Sequence, residues 1–226
     1  MNQERDLADI IEELFIKFLD SFSLWSAPHV EVQPTVEVKE EPIMAPKNDF
    51  VGLTEEQLKK IMPRISSKNL KLYLSPLNSA MKEFEINTPQ RIAAFVAQLA
   101  HESMEFKYFE EIASGEAYEG RKDLGNVIAG DGKRYKGRGP IQLTGRTNYR
   151  DAGRDLGIDL ENTPSLAASP EIGFRTAGWF WKGKKLNGLA DAGEFKQITK
   201  KINGGLNGLE QRIKYHTVAM GVLGVK

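Results

Sequence analysis

The sequence predicts a mainly α-helical domain, and three observations carry that prediction. Apolar residues recur every three or four positions in several separate segments, which is the period of an amphipathic helix. Helix-start signals precede several of these segments, whereas the alternating apolar and polar runs typical of strands are scarce. Eight glycines fall within residues 114–145, where we expect loops and a short β-hairpin inserted between the helices.

The N-terminal part differs from the rest in composition. Residues 1–25 are predicted as an acidic amphipathic helix, and residues 26–49, which hold four of the ten prolines, as an extended linker. The folded domain is expected at residues 50–226. Because the polar face of the helix has almost no Lys or Arg, residues 5–25 favour a protein partner or self-association over membrane contact. Packing of this helix on the chain's own basic body stays open as an alternative.

Charge is distributed unevenly along a chain whose net charge is zero. Residues 1–50 hold four Lys/Arg and eleven Asp/Glu, whereas the remainder holds 27 and 20. The basic body favours attraction to polyanions such as bacterial wall polymers, nucleic acid or anionic lipid. The chain has no cysteine, which excludes disulfides, thiolate catalysis and cysteine-based zinc sites.

Two helices are predicted at the start of the domain. Thr54 and Gln57 fit a capping box, and Pro63 stops the helix that follows them. A second helix is expected over residues 67–84, with Pro76 as the site of a kink.

The third helix carries the first candidate for chemistry. Thr88 caps its start and Pro89 suits its first position. Glu102 comes near its C-terminal end, and Glu111 follows nine residues later. On an unbroken helix nine residues rotate about 900° and rise about 13.5 Å, which places the two carboxyl groups on opposite faces. A shared site therefore requires the helix to end or bend near residues 104–106, where no Gly or Pro forces it to.

Further helices are expected after the glycine-rich segment. Their predicted ranges are 148–156, 170–181, 191–202 and 206–223. Gly157 is the expected stop of the first of these helices and Asp191 the expected cap of the third. In the last helix, Leu209, Ile213 and Met220 are expected to face inward.

The glycine-rich segment does not fit a nucleotide site. Gly132-Lys133-Arg134 lacks the Ser or Thr of a P-loop, and a dinucleotide fingerprint lacks its preceding strand. Polar and aromatic side chains nearby are suited instead to a sugar-binding cleft, namely Tyr135, Gln142, Thr144, Asn148 and Tyr149. No histidine spacing predicts a zinc site.

Several separated stretches resemble glycoside hydrolase family 19, the chitinase and phage-endolysin group. They are AFVAQLAHES, EEIASGEAYEGR, YKGRGPIQLTGRTNY, AGWFW and ITKKINGGLNGLEQRIKY, in that order, and they span roughly residues 52–226. The short-loop pattern is more similar to bacteriophage endolysins than to the longer plant chitinases. The resemblance implies a lysozyme-like α-helical domain, and we expect no metal and no cofactor.

The resemblance also implies roles for individual residues. Glu102 matches the general acid, Glu111 the general base and Thr144 the residue that helps to hold the attacking water. Gln142, Asn148, Asn203 and Arg212 match residues that bind sugar or orient the acid and base, and His101 is similar to a support for the first carboxyl group. One departure follows Ser103, where Met104 and Glu105 stand in place of two glycines frequent in the family.

The expected function is that of a peptidoglycan-degrading endolysin. Such an enzyme hydrolyses, with inversion, the β-1,4 bond between N-acetylmuramic acid and N-acetylglucosamine, and bacterial peptidoglycan is the expected partner rather than nucleic acid. Inversion predicts two carboxyl groups about 6.5–9.5 Å apart. The alternatives are a chitinase and a non-catalytic wall-binding or virion structural protein. Since no signal peptide or spanning segment is recognised, we expect accumulation in a host cytoplasm before passage to the periplasm and wall.

Overall fold

The computed structural model describes residues 52–225, and the regular secondary structure of this range is helical. Within that range the α-helices are α1 (Glu55–Ile61), α2 (Ser67–Glu83), α3 (Pro89–Glu102), α4 (Asp131–Arg134), α5 (Arg146–Leu156), α6 (Pro170–Gly183), α7 (Leu186–Asp191), α8 (Phe195–Asn203) and α9 (Leu209–Val222). Short 3-10 helices cover Glu116–Tyr118, Lys122–Leu124 and Pro164–Ala168. The prediction of a mainly α-helical domain is confirmed for this range. The helix and linker predicted within residues 1–49 lie outside the described residues.

Helix α3 forms the centre of the domain. Thr88 accepts a hydrogen bond from the Arg91 N–H and Pro89 occupies the first turn, as the sequence predicts. Residues 92–100 are all buried, so neighbouring elements enclose this stretch on every side. Helix α9 makes its most extensive contact along α3, and α7 and α8 also touch it. Glu102, the last residue of α3, is therefore presented by a helix that its neighbours enclose.

The first two helices form as the sequence predicts. Thr54 and Gln57 make both hydrogen bonds of the capping box at the start of α1. Pro76 lies inside α2 without ending it, and α2 packs mainly against α6. Between residues 52 and 225 no helix has the length and apolar character needed to cross a membrane.

The C-terminal helices differ from the prediction at two points. Asp191 ends α7 instead of capping the next helix, which starts only at Phe195, and its carboxylate pairs with Arg91 at 2.6 Å. In α9 the buried residues are Arg212, Tyr215 and Ala219, whereas Ile213 is 45% exposed. The inward face of α9 is thus partly polar, which apolar periodicity alone does not reveal.

The short β-hairpin expected within residues 114–145 does not form. In the described part of the chain the β-type pairing consists of isolated antiparallel bridges, from Arg138 to Glu110 and from Arg138 to Leu143. Pro140 and Gln142, whose φ is 55°, lie inside the turn that the bridge between Arg138 and Leu143 closes, and the pairing does not continue as a ladder beyond that bridge. This segment is instead a series of turns and short helices, and it contacts Glu111 through Tyr118 and Gly137.

Candidate active site

The chain leaves α3 through an uncommon turn directly after Glu102. Met104, Glu105 and Phe106 all have positive φ angles, of 51°, 58° and 61°. Residues other than glycine avoid this left-handed region because their Cβ atom approaches the following carbonyl oxygen. The helix therefore ends where a site shared by Glu102 and Glu111 requires it to, although neither glycine nor proline is present.

Buried contacts hold this turn from below. The ring of Phe106 packs edge-on against Phe174 with 5.1 Å between ring centroids, in a cluster that includes a stacked Tyr73–Phe109 pair. The side chain of Asn69, on α2, donates a hydrogen bond to the Phe106 carbonyl at 2.9 Å. The turn is thus bound to α2 and α6, and these tertiary contacts stabilise a backbone conformation that its residues do not prefer.

Glu102 lies against a buried arginine. Its carboxylate forms an ion pair with Arg212 of α9, and both side chains are less than a tenth exposed. Arg212 also donates to the Gln98 side chain at 2.5 Å, and Gln98 donates to the Thr199 hydroxyl at 2.9 Å. A polar chain thus connects α3, α8 and α9 beneath Glu102, and Arg212 offsets the negative charge of the carboxylate.

Two residues of this hydrogen-bonded series, Gln98 and Thr199, were not predicted from the sequence. Both are completely buried. Gln98 interrupts an otherwise apolar run in the centre of α3, and a polar residue at such a position indicates a buried hydrogen-bond partner. That signal was available in the sequence, whereas the identity of the partners was not.

His101 and Asn203 adjoin the same group of residues. Asn203 donates to the Asn207 carbonyl at 3.2 Å, and Arg212 donates to the same carbonyl at 3.3 Å. The His101 ring rests on Gly208, where an added Cβ would lie 2.2 Å from the ring. Burial, reinforced by the charge of Arg212, lowers the pKa of His101. The structure therefore brings His101, Asn203 and Arg212 together around the end of α3.

Glu111 is held in a different way. Its Oε1 accepts a hydrogen bond from the Tyr118 hydroxyl at 2.6 Å, and its Oε2 accepts one from the Gly137 N–H at 3.0 Å. A backbone hydrogen bond from the Glu111 N–H to the Gly137 carbonyl, at 2.9 Å, adds to this attachment. Both carboxylate oxygens are thus oriented by groups of the glycine-rich segment. Tyr118 was missed as a site residue, although it lies within one of the stretches that carry the family resemblance.

A short hydrogen-bonded series connects three buried residues, Gln142 and Thr144 before α5 and Asn148 within it. The Thr144 hydroxyl donates to the Gln142 carbonyl at 2.9 Å, and Asn148 donates to the Thr144 carbonyl at 2.8 Å. The Gln142 side chain donates to the Gly139 carbonyl at 2.8 Å. Their expected contacts with sugar and with the attacking water stay predictions.

Tyr135 and Tyr149 do not offer stacking faces for a sugar. Both are fully buried, with their ring centroids 5.4 Å apart. The Tyr135 hydroxyl donates to the Glu161 carbonyl and the Tyr149 hydroxyl to the Lys136 carbonyl, so both polar tips find partners inside the domain. The interpretation of these two rings as sugar-binding surfaces is corrected to a structural role.

Glu105, the other carboxylate near Glu102, is fully engaged. It accepts hydrogen bonds from the backbone and side chain of Arg64 and from the Tyr215 hydroxyl. These contacts favour Glu111 over Glu105 as the partner of Glu102. The candidate site therefore contains two carboxyl groups on separate segments, Glu102 paired with Arg212 and Glu111 accepting hydrogen bonds from Tyr118 and Gly137. Acid–base cleavage of a glycosidic bond requires two such groups.

Comparisons with known proteins agree with this chemistry. The family model described as chitinase class I, of glycoside hydrolase family 19, matches residues 82–190. A glycosyl hydrolase family 19 domain-containing protein of Haemophilus influenzae is 32% identical over 159 residues, covering 57% of this chain and 78% of that protein. An endochitinase of Arabidopsis thaliana is 39% identical over 143 residues, which cover 60% of this chain. The chain spans about half of that plant protein, 49% of its length.

Solved structures give the same result. Chitinase C from Streptomyces griseus HUT6037 superposes with a TM-score of 0.64 at 26% identity, covering 76% of this chain and 77% of that one. The class IV chitinase from Zea mays has the same TM-score, 0.64, at 28% identity, covering 77% of this chain and 94% of that one. Sequence, fold and site chemistry thus converge, and the chain belongs to glycoside hydrolase family 19 as a chitinase-like enzyme.

Proposed function

We propose that the chain hydrolyses the β-1,4 bonds of a chitin-type polymer of N-acetylglucosamine by a single inverting displacement. The observation that carries the proposal is the pair of differently held carboxyl groups, Glu102 and Glu111, on either side of the left-handed turn. The names of the Arabidopsis and Streptomyces relatives, an endochitinase and a chitinase, support the substrate class.

In the proposed reaction Glu102 is the general acid and Glu111 the general base. Glu111 removes a proton from water as the water oxygen bonds to the anomeric carbon from the face opposite the leaving group. The bond from that carbon to the glycosidic oxygen breaks, and the oxygen takes the proton of Glu102. Inversion requires room for this water, with carboxyl groups about 6.5–9.5 Å apart. The hydrogen bonds from Tyr118 and Gly137 hold Glu111 in the orientation that proton removal needs.

The neighbouring side chains support these two roles. Arg212 lies against Glu102, and its positive charge stabilises the carboxylate that forms when Glu102 gives up its proton. His101 and Asn203 hold the segment around the end of α3, and we assign Gln142, Thr144 and Asn148 to the wall of the cleft that orients sugar and water. Tyr135 and Tyr149 are left out of this assignment because stacking on a sugar needs an open ring face, whereas Gln142, Thr144 and Asn148 are kept on the family resemblance although they too are buried.

A second candidate substrate is peptidoglycan, cut between N-acetylmuramic acid and N-acetylglucosamine. The excess of Lys/Arg over Asp/Glu outside the first 50 residues, 27 against 20, favours an anionic polymer of this kind. The relatives compared above are named as chitinases or by family alone, so chitin takes precedence.

The test compares wild type, Glu102→Gln and a control, Glu171→Gln, on colloidal chitin and on purified peptidoglycan. Glu171 is an exposed glutamate in the first turn of α6. We expect wild type and the control to release N-acetylglucosamine oligomers from chitin, and Glu102→Gln to lose roughly 100-fold to 10,000-fold in rate, as the loss of a general acid implies. Mass spectrometry identifies the products, and NMR of the first products should detect the α-anomer that inversion generates.

The products also separate the alternatives. Cleavage of peptidoglycan alone, with reducing N-acetylmuramic acid ends, would assign the chain as an endolysin and reject chitin. Anhydro-sugar ends, with activity retained in Glu111→Ala, would indicate a lytic transglycosylase, which needs no hydrolytic water. Folded protein that binds either polymer and cleaves neither would contradict hydrolysis and leave a binding module.

A further inference from the structure

The turn that separates the two candidate catalytic residues is strained in an unusual way. Three consecutive residues other than glycine, Met104, Glu105 and Phe106, occupy the left-handed region. Such conformations persist only where the surrounding structure over-determines them. Phe106 is held by its aromatic cluster, whereas the middle residue, Glu105, is held by polar contacts.

Glu105 is gripped from two sides. Its carboxylate accepts the Arg64 backbone N–H at 2.5 Å, the Arg64 Nε–H at 2.8 Å and the Tyr215 hydroxyl at 2.8 Å. Arg64 also donates from Nη2 to the Tyr215 oxygen at 2.9 Å, which closes a triangle of three side chains. Glu105 is only 2% exposed, so this carboxylate depends on these donors in place of water. We call these three residues, Arg64, Glu105 and Tyr215, the clasp.

The clasp is connected to the candidate general acid through two elements. Tyr215 follows Arg212 by three residues on α9, so one helix face contacts both Glu105 and Glu102. The Glu105 N–H also donates to the Ala100 carbonyl at 2.8 Å, which ties the turn to the last turn of α3. A shift of Glu105 therefore moves the backbone that leads from Glu102 to Glu111.

We propose that Glu105 is a positioning residue for the hydrolytic reaction. Its carboxylate, held by Arg64 and Tyr215, keeps residues 104–106 left-handed and so sets the placement of Glu111 relative to Glu102. This inference rests on the proposed roles of these two carboxyl groups. Glu105 acts through the backbone and touches neither substrate nor water.

The test measures kcat and KM for Glu105→Gln, Tyr215→Phe and the double variant. The substrate is the soluble N-acetylglucosamine hexamer, or soluble glycan strands if wild type cleaves only peptidoglycan. The matched control is Glu83→Gln, since Glu83 is likewise gripped by an arginine, Arg175, but joins α2 to α6. Assays are run at a temperature where circular dichroism shows every variant folded, so a loss of stability alone does not change kcat.

We expect Glu105→Gln to lower kcat about tenfold or more while KM stays within about twofold, because misplacement of reacting groups affects the chemical step most. An amide nitrogen cannot accept the Arg64 N–H bond, so the turn should loosen. The double variant should lose little more than Glu105→Gln, since both changes open the same clasp. Hydrogen exchange at residues 104–107 should quicken in Glu105→Gln and not in Glu83→Gln.

The outcomes distinguish this inference from the function on which it rests. If Glu102→Gln is inactive while folded Glu105→Gln keeps kcat within twofold of wild type, the positioning role is overturned and the proposed function stands. If Glu102→Gln turns over the same substrate, the proposed function fails and the inference falls with it. A rise in KM with kcat unchanged would also overturn the positioning role.

Discussion

The Tyr118 hydroxyl orients one of the two carboxylate oxygens of Glu111. Tyr118 donates to Oε1 at 2.6 Å, a short distance typical of a hydrogen bond to a charged acceptor, whereas Oε2 depends on a backbone N–H. A side chain can be changed without altering the backbone, so the contribution of this hydroxyl to the site can be measured separately.

Tyr118→Phe is expected to lower kcat about tenfold, with KM little changed, because Glu111 loses the donor that orients its Oε1. The lost hydrogen bond should also reduce the free energy of unfolding by about 1–3 kcal/mol, since the acceptor is buried and charged. Steady-state kinetics and denaturant unfolding measure the two effects. Tyr73→Phe is the control, because the Tyr73 ring also lies in the core but stacks on Phe109. A kcat within twofold of wild type would mean that the Tyr118 hydroxyl is not needed to orient Glu111.

At the scale of elements, the approach of α6 to the end of α2 depends on a glycine. An added Cβ on Gly178 would lie 2.1 Å from the ring of Phe84, the residue that caps α2. Since α2 and α6 together support the aromatic cluster under the turn, this contact influences the packing on which the site rests.

Gly178→Ala is therefore expected to destabilise the fold by about 1–3 kcal/mol through overpacking, despite the better helix propensity of alanine. Gly188→Ala, on α7, is the matched control because nothing lies within 4 Å of its added Cβ. That variant should be more stable than wild type by about 0.5–1 kcal/mol. Urea unfolding of both variants gives the comparison. Equal stability of the two variants would show that Phe84 moves aside at no cost.

At the scale of the whole molecule, the starts of the early helices were predictable and the left-handed turn after α3 was not. Thr54 and Thr88 cap their helices through bonds to residues three positions away, so the signal is local. The turn after Glu102 is stabilised by donors 41 and 110 residues from Glu105 in the sequence, Arg64 and Tyr215. Contacts of that kind leave no periodic pattern in the chain.

The residues of the candidate site likewise fall into those that were predictable from the sequence and those that were not. The family resemblance selected Glu102 and Glu111, and the contacts of both residues are compatible with the expected chemistry. The resemblance did not reveal Gln98 or Tyr118, whose partners come from other elements. Tyr135 and Tyr149 were interpreted wrongly as stacking surfaces because neither the loop around Tyr135 nor the helix that carries Tyr149 shows in its sequence which elements will cover the ring.

Two partly buried histidines predict how the stability of the whole domain depends on pH. Burial, together with the charge of Arg212, lowers the pKa of His101, and burial lowers the pKa of His216, whose ring stacks on Phe195 at 4.0 Å. The unfolded chain therefore binds more protons than the folded one as the pH falls through about 6.5, the usual histidine value. Stability should consequently be highest above that pH and decrease below it.

We expect the midpoint of thermal unfolding to fall steadily from pH 7.5 to pH 5.5, a window above the usual pKa range of carboxyl groups. His216→Gln should flatten this dependence in part, since it removes one of the two histidines without touching the end of α3. Calorimetry of wild type and variant in buffers of equal ionic strength measures both slopes. A midpoint that stays constant or rises on acidification would mean that protonated His101 and His216 are stabilised in the folded state, for example by Glu102, the carboxylate adjacent to His101.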